Sequence, residues 1–145
     1  MWLNLGSGST PRKSGVVNVD IAPGEHVDVV HDLDVLPWPW DDRLITRIIA
    51  QDVFEHVKDP IGFMTESHRV LRHGGDLLIK SPYFQHMDAF TDPTHRRFCT
   101  PFTWDYWIAG TVLHERHNPA YGGVAFGLID RRIIEGSIFI NLRKP

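Results

Sequence analysis

Three features of this 145-residue chain predict an α/β protein built on a mostly parallel sheet. Short apolar runs alternate with turn and helix signals up to residue 82. The first run, Leu3-Asn4-Leu5, ends in the tight turn Gly6-Ser7-Gly8. Later runs end on a single carboxylate, at Asp20, Asp32 and Asp52.

The elements follow in order. Residues 2–5 read as a buried strand. Pro11 and Gly15 leave little room for a helix before the next strand, 16–20. Residues 27–30 form a third short strand leading to His31-Asp32-Leu33. Leu36-Pro37-Trp38-Pro39-Trp40 is a rigid loop, because proline fixes φ and removes backbone donors. Ile45 to Ala50 is a β-branched strand. Asp59 and Pro60 supply the cap and first residue of a helix from Pro60 to about His73, closed by Gly74. Ile61, Met64, His68 and Leu71 share one face of it. Asp76 to Lys80 is a strand stopped by Pro82. Beyond it, Thr100-Pro101 starts a short helix to about Ala109, and a glycine-rich loop spans 118–127. Strands near 128–135 and 137–143 pair as an antiparallel hairpin around Glu135-Gly136.

Composition narrows the function. The length suits a single domain with one core. A net charge of -3 excludes bulk nucleic-acid binding, which needs a positive surface. Residues 1–66 carry eleven acids and five Lys/Arg, residues 67–145 seven and ten. This is either ordinary scatter or a mildly basic side for an anionic ligand. The single cysteine, Cys99, forms no internal disulfide and suits a reducing, cytoplasmic setting. No apolar run nears the roughly 20 residues of a membrane span, and Met1-Trp2-Leu3, leading straight into the expected first strand, predicts no signal peptide.

The strand ends carry the chemistry. In a parallel sheet the C-terminal strand ends lie together, and ligands bind in that crevice. Glycines there let the backbone approach a ligand, and an acid at the second strand end accepts hydrogen bonds from ribose hydroxyls. A nicotinamide fingerprint would need glycine at position 11, where Pro11 stands, and its acid about 20 residues past the turn. Asp20 comes too early, which argues against a dinucleotide enzyme.

Residues Leu3 to Pro82 resemble the class I S-adenosylmethionine-dependent methyltransferases, in particular the small-molecule branch called type 11. The resemblance is carried by Leu3-Asn4-Leu5-Gly6-Ser7-Gly8, Asn18-Val19-Asp20, His31-Asp32-Leu33, Leu36-Pro37-Trp38 and Gln51-Asp52-Val53-Phe54-Glu55-His56-Val57. It continues through Asp59-Pro60, Glu66, Arg69-Val70-Leu71-Arg72 and Gly74-Gly75. Asp92-Pro93-Thr94-His95-Arg96-Arg97-Phe98-Cys99-Thr100 also resembles a block that follows the core in some relatives. The resemblance implies a minimal Rossmann-like fold with a shortened first helix. Residues 1–82 would be the cofactor-binding half, 83–126 the acceptor-site segment and 127–145 the terminal strands.

It also implies roles. Gly6, Ser7 and Gly8 would pass under the methionine part of S-adenosylmethionine. Asp20 would hold the ribose, with Ile21 against the adenine and Asp32 and Leu33 at its edge. Gln51, Asp52 and Val53 would line the pocket, with His56 near the cofactor. Three departures stand out: Asn4 replaces the usual acid, Thr10 the usual third glycine, and the first helix is nearly absent.

Methyl transfer is an in-line displacement on an activated donor, so the protein mainly aligns the reactants and excludes water. A weakly acidic acceptor also needs a base, and imidazole suits that near neutral pH. His95, His86 and Asp92 are the catalytic candidates, with His56 and Tyr83 beside them. Trp38 and Trp40 either pack the loop or stack on a planar substrate. Arg96-Arg97 is either solvated charge or a clamp for an anionic acceptor.

The expected activity is O-, N- or C-methylation of a small molecule, releasing S-adenosylhomocysteine, with a homodimer covering the site. Two alternatives remain: a non-catalytic S-adenosylmethionine-binding subunit, and a metal-dependent enzyme using His86, Asp88, Asp92, His95, His114 and His117. Those spacings match no metal motif, so no metal ligand is assigned.

Overall fold

The structure, a computed structural model, describes residues 1–145. Seven strands form one sheet: β1 (Trp2–Leu5), β2 (Val16–Asp20), β3 (Val29–Val30), β4 (Ile45–Gln51), β5 (Leu71–Pro82), β6 (Gly127–Ile134) and β7 (Ser137–Arg143). Their order is β3-β2-β1-β4-β5-β7-β6. The first five run parallel, and β7 is antiparallel to both β5 and β6. This is the expected mostly parallel α/β sheet with a C-terminal antiparallel hairpin.

Alternate residues of the central strands point into one core. Leu3, Leu5, Ile48, Ala50, Leu77, Ile79, Ile138, Ile140 and Leu142 are buried there. Helix α1 (Pro60–Val70) contributes Phe63 and Met64, and the segment after β5 contributes Trp104, Trp107 and Phe126. Phe63 meets Trp38 and Phe54 edge-on, and Phe54 meets Trp104 and Trp107, so aromatic rings tie the loops to this layer.

No helix follows β1, β2 or β3, and the opposite face of the sheet has no helical layer. A row of charged and aromatic side chains crosses it. Trp2, Arg47, Asp76 and Arg143 align across four strands. Arg47 lies over the Trp2 ring and donates to Asp76 at 3.0 Å, while Arg143 donates to the other Asp76 oxygen at 2.9 Å. Asn18 replaces part of the missing helix. Its side chain accepts from Asn4 and donates to the carbonyls of Thr10 and His26, joining the two loops that flank β2.

Several boundaries differ from expectation. β3 is shorter because Asp28 turns its carboxylate to the Asn18 amide and Arg12. Asp59 caps α1 through the Gly62 amide as expected, but the helix ends at Val70 instead of His73. Leu71 is already extended against Ile45, and the buried Lys144 ammonium takes the carbonyls of His68 and Leu71. Gly74, with φ +74°, therefore turns the chain inside β5, which continues through Pro82. The helix expected near 101–109 is a 3-10 turn, Thr103–Trp107. Helices α2 (Asp88–Thr91) and α3 (Val112–His117) have no counterpart in the sequence reading. α3 buries none of its residues, so it carries no apolar period to read.

Candidate active site

The C-terminal ends of β1, β2 and β4 open into a cleft of about 230 Å³. Gly6, Asp20, Ile21, Asp32, Leu33, Asp52, Val53 and His56 line it, with Val19, His31, Asp34 and Val57. At its floor Gly6 has φ +63°, and a Cβ there would overlap Val53 Cγ2, so only glycine lets the β1 and β4 ends approach this closely. Asp20 accepts from the Gly8 amide at 2.8 Å and the Ala22 amide at 3.1 Å. These bonds orient the carboxylate and leave each oxygen further acceptor capacity. Ile21, 67% exposed, offers an apolar platform at the rim. Asp52 adopts φ +54° and pairs with Lys80 at 2.9 Å, so the chain reverses as it leaves β4.

Other candidate residues lie elsewhere. Ser7 is buried, with its amide on the Val19 carbonyl. Gly8 lines a neighbouring groove with Asp20. Gln51 follows Ala50 by one position, and strand alternation turns it onto the open face with Lys80 and Phe139. His86 packs against the Gly136 turn, where a Cβ would overlap its ring, and does not line the cleft. Trp38 is core, its indole donating to the Leu33 carbonyl at 3.0 Å.

The segment after β5 folds back onto residues 53–57. The Arg96 amide donates to the Glu55 carbonyl at 2.8 Å. The Arg97 guanidinium donates to the carbonyls of Phe54 and Val57 and lies over the Phe54 ring. Burial lowers the pKa of Arg97, which here organises backbone and is not free as an anion clamp. This docking brings His95 against His56, ring centroids 4.7 Å apart and edge to face.

Hydrogen bonds set both tautomers. His95 Nδ1 lies 2.8 Å from the Ala89 carbonyl, which only accepts, so Nδ1 carries the proton. The Thr94 hydroxyl donates to Asp92 at 2.7 Å, and His56 Nδ1 donates to that hydroxyl at 3.1 Å. In its neutral form each ring therefore presents a bare Nε2. Each Nε2 is 3.9 Å from Asp92 Oδ2. Hydrogen bonds from Thr94 hold the Asp92 carboxyl below the usual range. Glu55, to which the resemblance assigns no role, lies close to the pair. It is 1% exposed; Ser81 donates to one oxygen, and burial pushes its pKa up.

A model of the methyltransferase domain family matches residues 11–79. No curated protein sequence matches the chain. Among solved structures, a Methanosarcina mazei S-adenosylmethionine-dependent methyltransferase is similar at 15% identity and TM-score 0.65, over 99% of this chain and 91% of that one. The 1,6-didemethyltoxoflavin N1-methyltransferase of Burkholderia thailandensis, solved with its substrate and S-adenosylhomocysteine, is similar at 16% and 0.61, over 99% and 70%. A chain from the complex of the Haloferax volcanii Trm112 methyltransferase activator with a methyltransferase is similar at 14% and 0.66, over 99% and 81%. At these identities the structural likeness concerns the fold.

Proposed function

We propose that the chain is a class I S-adenosylmethionine-dependent methyltransferase of type 11, and that it methylates a small-molecule acceptor seated where His56, Asp92 and His95 meet the cleft. The observation that carries this reading is the junction of two sites. The strand-end cleft with Gly6 and Asp20 abuts two imidazoles whose lone pairs are free.

The cleft fits the cofactor. Its glycine floor admits a ligand against the backbone, and Asp20 retains acceptor capacity for ribose hydroxyls. Ile21 and Leu33 would flank the adenine, with Asp32 at its edge. S-adenosylmethionine, when bound, supplies an activated methyl on a sulfonium. Burial by Val53 and Val57 excludes water on one side. His95 Nε2 accepts the acceptor's proton, and Asp92 stabilises the imidazolium that forms. Exposed Arg96, beside His95, gives an anionic acceptor a partner. Oxygen, nitrogen and carbon acceptors all suit this arrangement. A second copy of the chain, closing over the exposed Phe90–Phe98 stack, is the oligomer expected, read as twice the chain mass by light scattering.

Calorimetry with S-adenosylhomocysteine tests the cleft. The wild type should bind at one equivalent. Asp20→Ala should weaken binding at least about tenfold, since a hydrogen bond to a charged group is worth about 1.5–3 kcal/mol. Unchanged affinity in that variant rejects the assignment.

A further inference from the structure

The pair of imidazoles has more around it than a base requires. His56 and His95 both have Nδ1 engaged by an oxygen, the arrangement that fixes a histidine for metal binding through Nε2. Asp92 Oδ2 stands 3.9 Å from both Nε2 atoms. Asp92 Oδ1 is held by the Thr94 amide and hydroxyl, which aims the carboxylate.

Glu55 supplies an independent observation. Its side chain is almost wholly buried, yet Oε1 has no hydrogen-bond partner. A buried carboxylate oxygen without a partner is costly and calls for a proton or a cation. One ligand atom from each of Glu55, His56 and His95 lies within 4.8 Å of the others. Nitrogen and oxygen ligands sit about 2.0–2.2 Å from zinc, so the edge of a tetrahedral site is roughly 3.4 Å. The gaps among Glu55, His56 and His95 exceed that edge by at most about an ångström and a half, and those from Asp92 to the two Nε2 atoms by about half an ångström.

We propose that Glu55, His56, Asp92 and His95 hold a divalent first-row transition ion of the zinc type at the mouth of the cofactor cleft. Two imidazoles with carboxylates match the ligand preferences of such ions, whereas calcium and magnesium prefer all-oxygen sets. The site keeps Asp92 and His95 of the set the histidine spacings suggested and replaces the rest with Glu55 and His56. His86 packs on the Gly136 turn and His117 on Tyr106, so neither joins the cluster.

The ion's role depends on the methyltransferase reading above. An ion here draws an oxygen acceptor to the cleft mouth, and His95 then acts as a ligand, not as the base. Binding of the ion itself does not depend on that reading, so the two are tested separately.

The experiment uses the full chain, purified without a histidine tag and stripped with chelator. Zn²⁺ is titrated by calorimetry and Co²⁺ by visible absorption. One equivalent should bind at micromolar affinity or tighter, with ligand-field bands of low-coordinate cobalt. His56→Gln and His95→Gln should each weaken binding at least tenfold. His73→Gln with His117→Gln, both exposed, should leave it unchanged. Circular dichroism checks folding. If His95→Gln does not fold, His56→Gln decides, because its side chain is 36% exposed. The proposal is overturned if no saturable 1:1 binding is found, or if binding survives His56→Gln. S-adenosylhomocysteine calorimetry on the same samples reads the cofactor cleft independently. Binding of S-adenosylhomocysteine without the ion leaves His95 as the base, and binding of the ion without S-adenosylhomocysteine rejects only the cofactor reading.

Discussion

Gly6 adopts φ +63° directly against Val53, so one hydrogen atom separates an open cleft from a filled one. Gly6→Ala combines left-handed backbone strain with overpacking, each costing about 1–3 kcal/mol. We expect the variant to lose at least about 2 kcal/mol in urea denaturation and most of its S-adenosylhomocysteine affinity. Adding Val53→Ala should recover part of both losses. Full additivity of the two substitutions would show that the contact is not the cause. The glycine and the acids Asp20, Asp32 and Asp52 were legible because strand ends are marked by local composition. Glu55 was not. Charged residues are rarely fully buried, and nothing near it in sequence announces that Arg96 and Arg97 return to cover it. Gln51 stands one step of strand alternation beyond Ala50, which is enough to reverse its face.

At the scale of elements, one ion pair fastens the Pro37–Trp40 loop to α1. Glu66 accepts from the Trp38 amide at 2.7 Å and pairs with Arg69 through both oxygens. Arg69 also donates to the carbonyls of Trp38 and Trp40 and to Asp42. The Arg69 bonds hold the Glu66 carboxyl below its usual range. Removing one partner of such a pair leaves the other charge buried, at about 3–5 kcal/mol, and partial exposure of Arg69 puts this pair at the lower end. Arg69→Met should therefore destabilise by about 3 kcal/mol in chemical denaturation. It should also raise Trp fluorescence accessibility to quencher, since Trp38 loses its anchor. A variant within 0.5 kcal/mol of wild type, roughly the scatter of surface substitutions, would show that the aromatic contacts of Trp38 hold the loop alone. Asp59, Pro60 and the β-branched run 45–50 made α1 and β4 readable. The end of α1 was not readable, because a lysine 73 residues away caps it.

At the scale of the molecule, a sheet covered on one face depends on how well that cover is sealed. His68, on α1, meets the Phe126 ring edge-on at 5.1 Å, where the segment before β6 closes over the core. Burial, reinforced by the Lys144 charge, pushes its pKa down from 6.5 to about 4. Unfolded, the same imidazole titrates near its ordinary value of about 6.5. Above that value both states are neutral and the stability due to this site is fully present. Between the two values the unfolded chain binds a proton that the folded chain does not, so stability falls as pH falls. The separation corresponds to ~3 kcal/mol lost by the time pH reaches the folded pKa. The parallel half of the sheet was legible from alternating strands and turns, but this seal joins segments far apart in sequence and carries no motif. Urea denaturation from about pH 7.5 to about pH 4.5 measures it, with His68→Gln as the reference that cannot titrate there. The stability advantage of wild type over the variant should shrink across that range. Parallel profiles would mean that His68 is solvated in the folded protein, and that α1 and the 124–126 segment do not seal this side of the core.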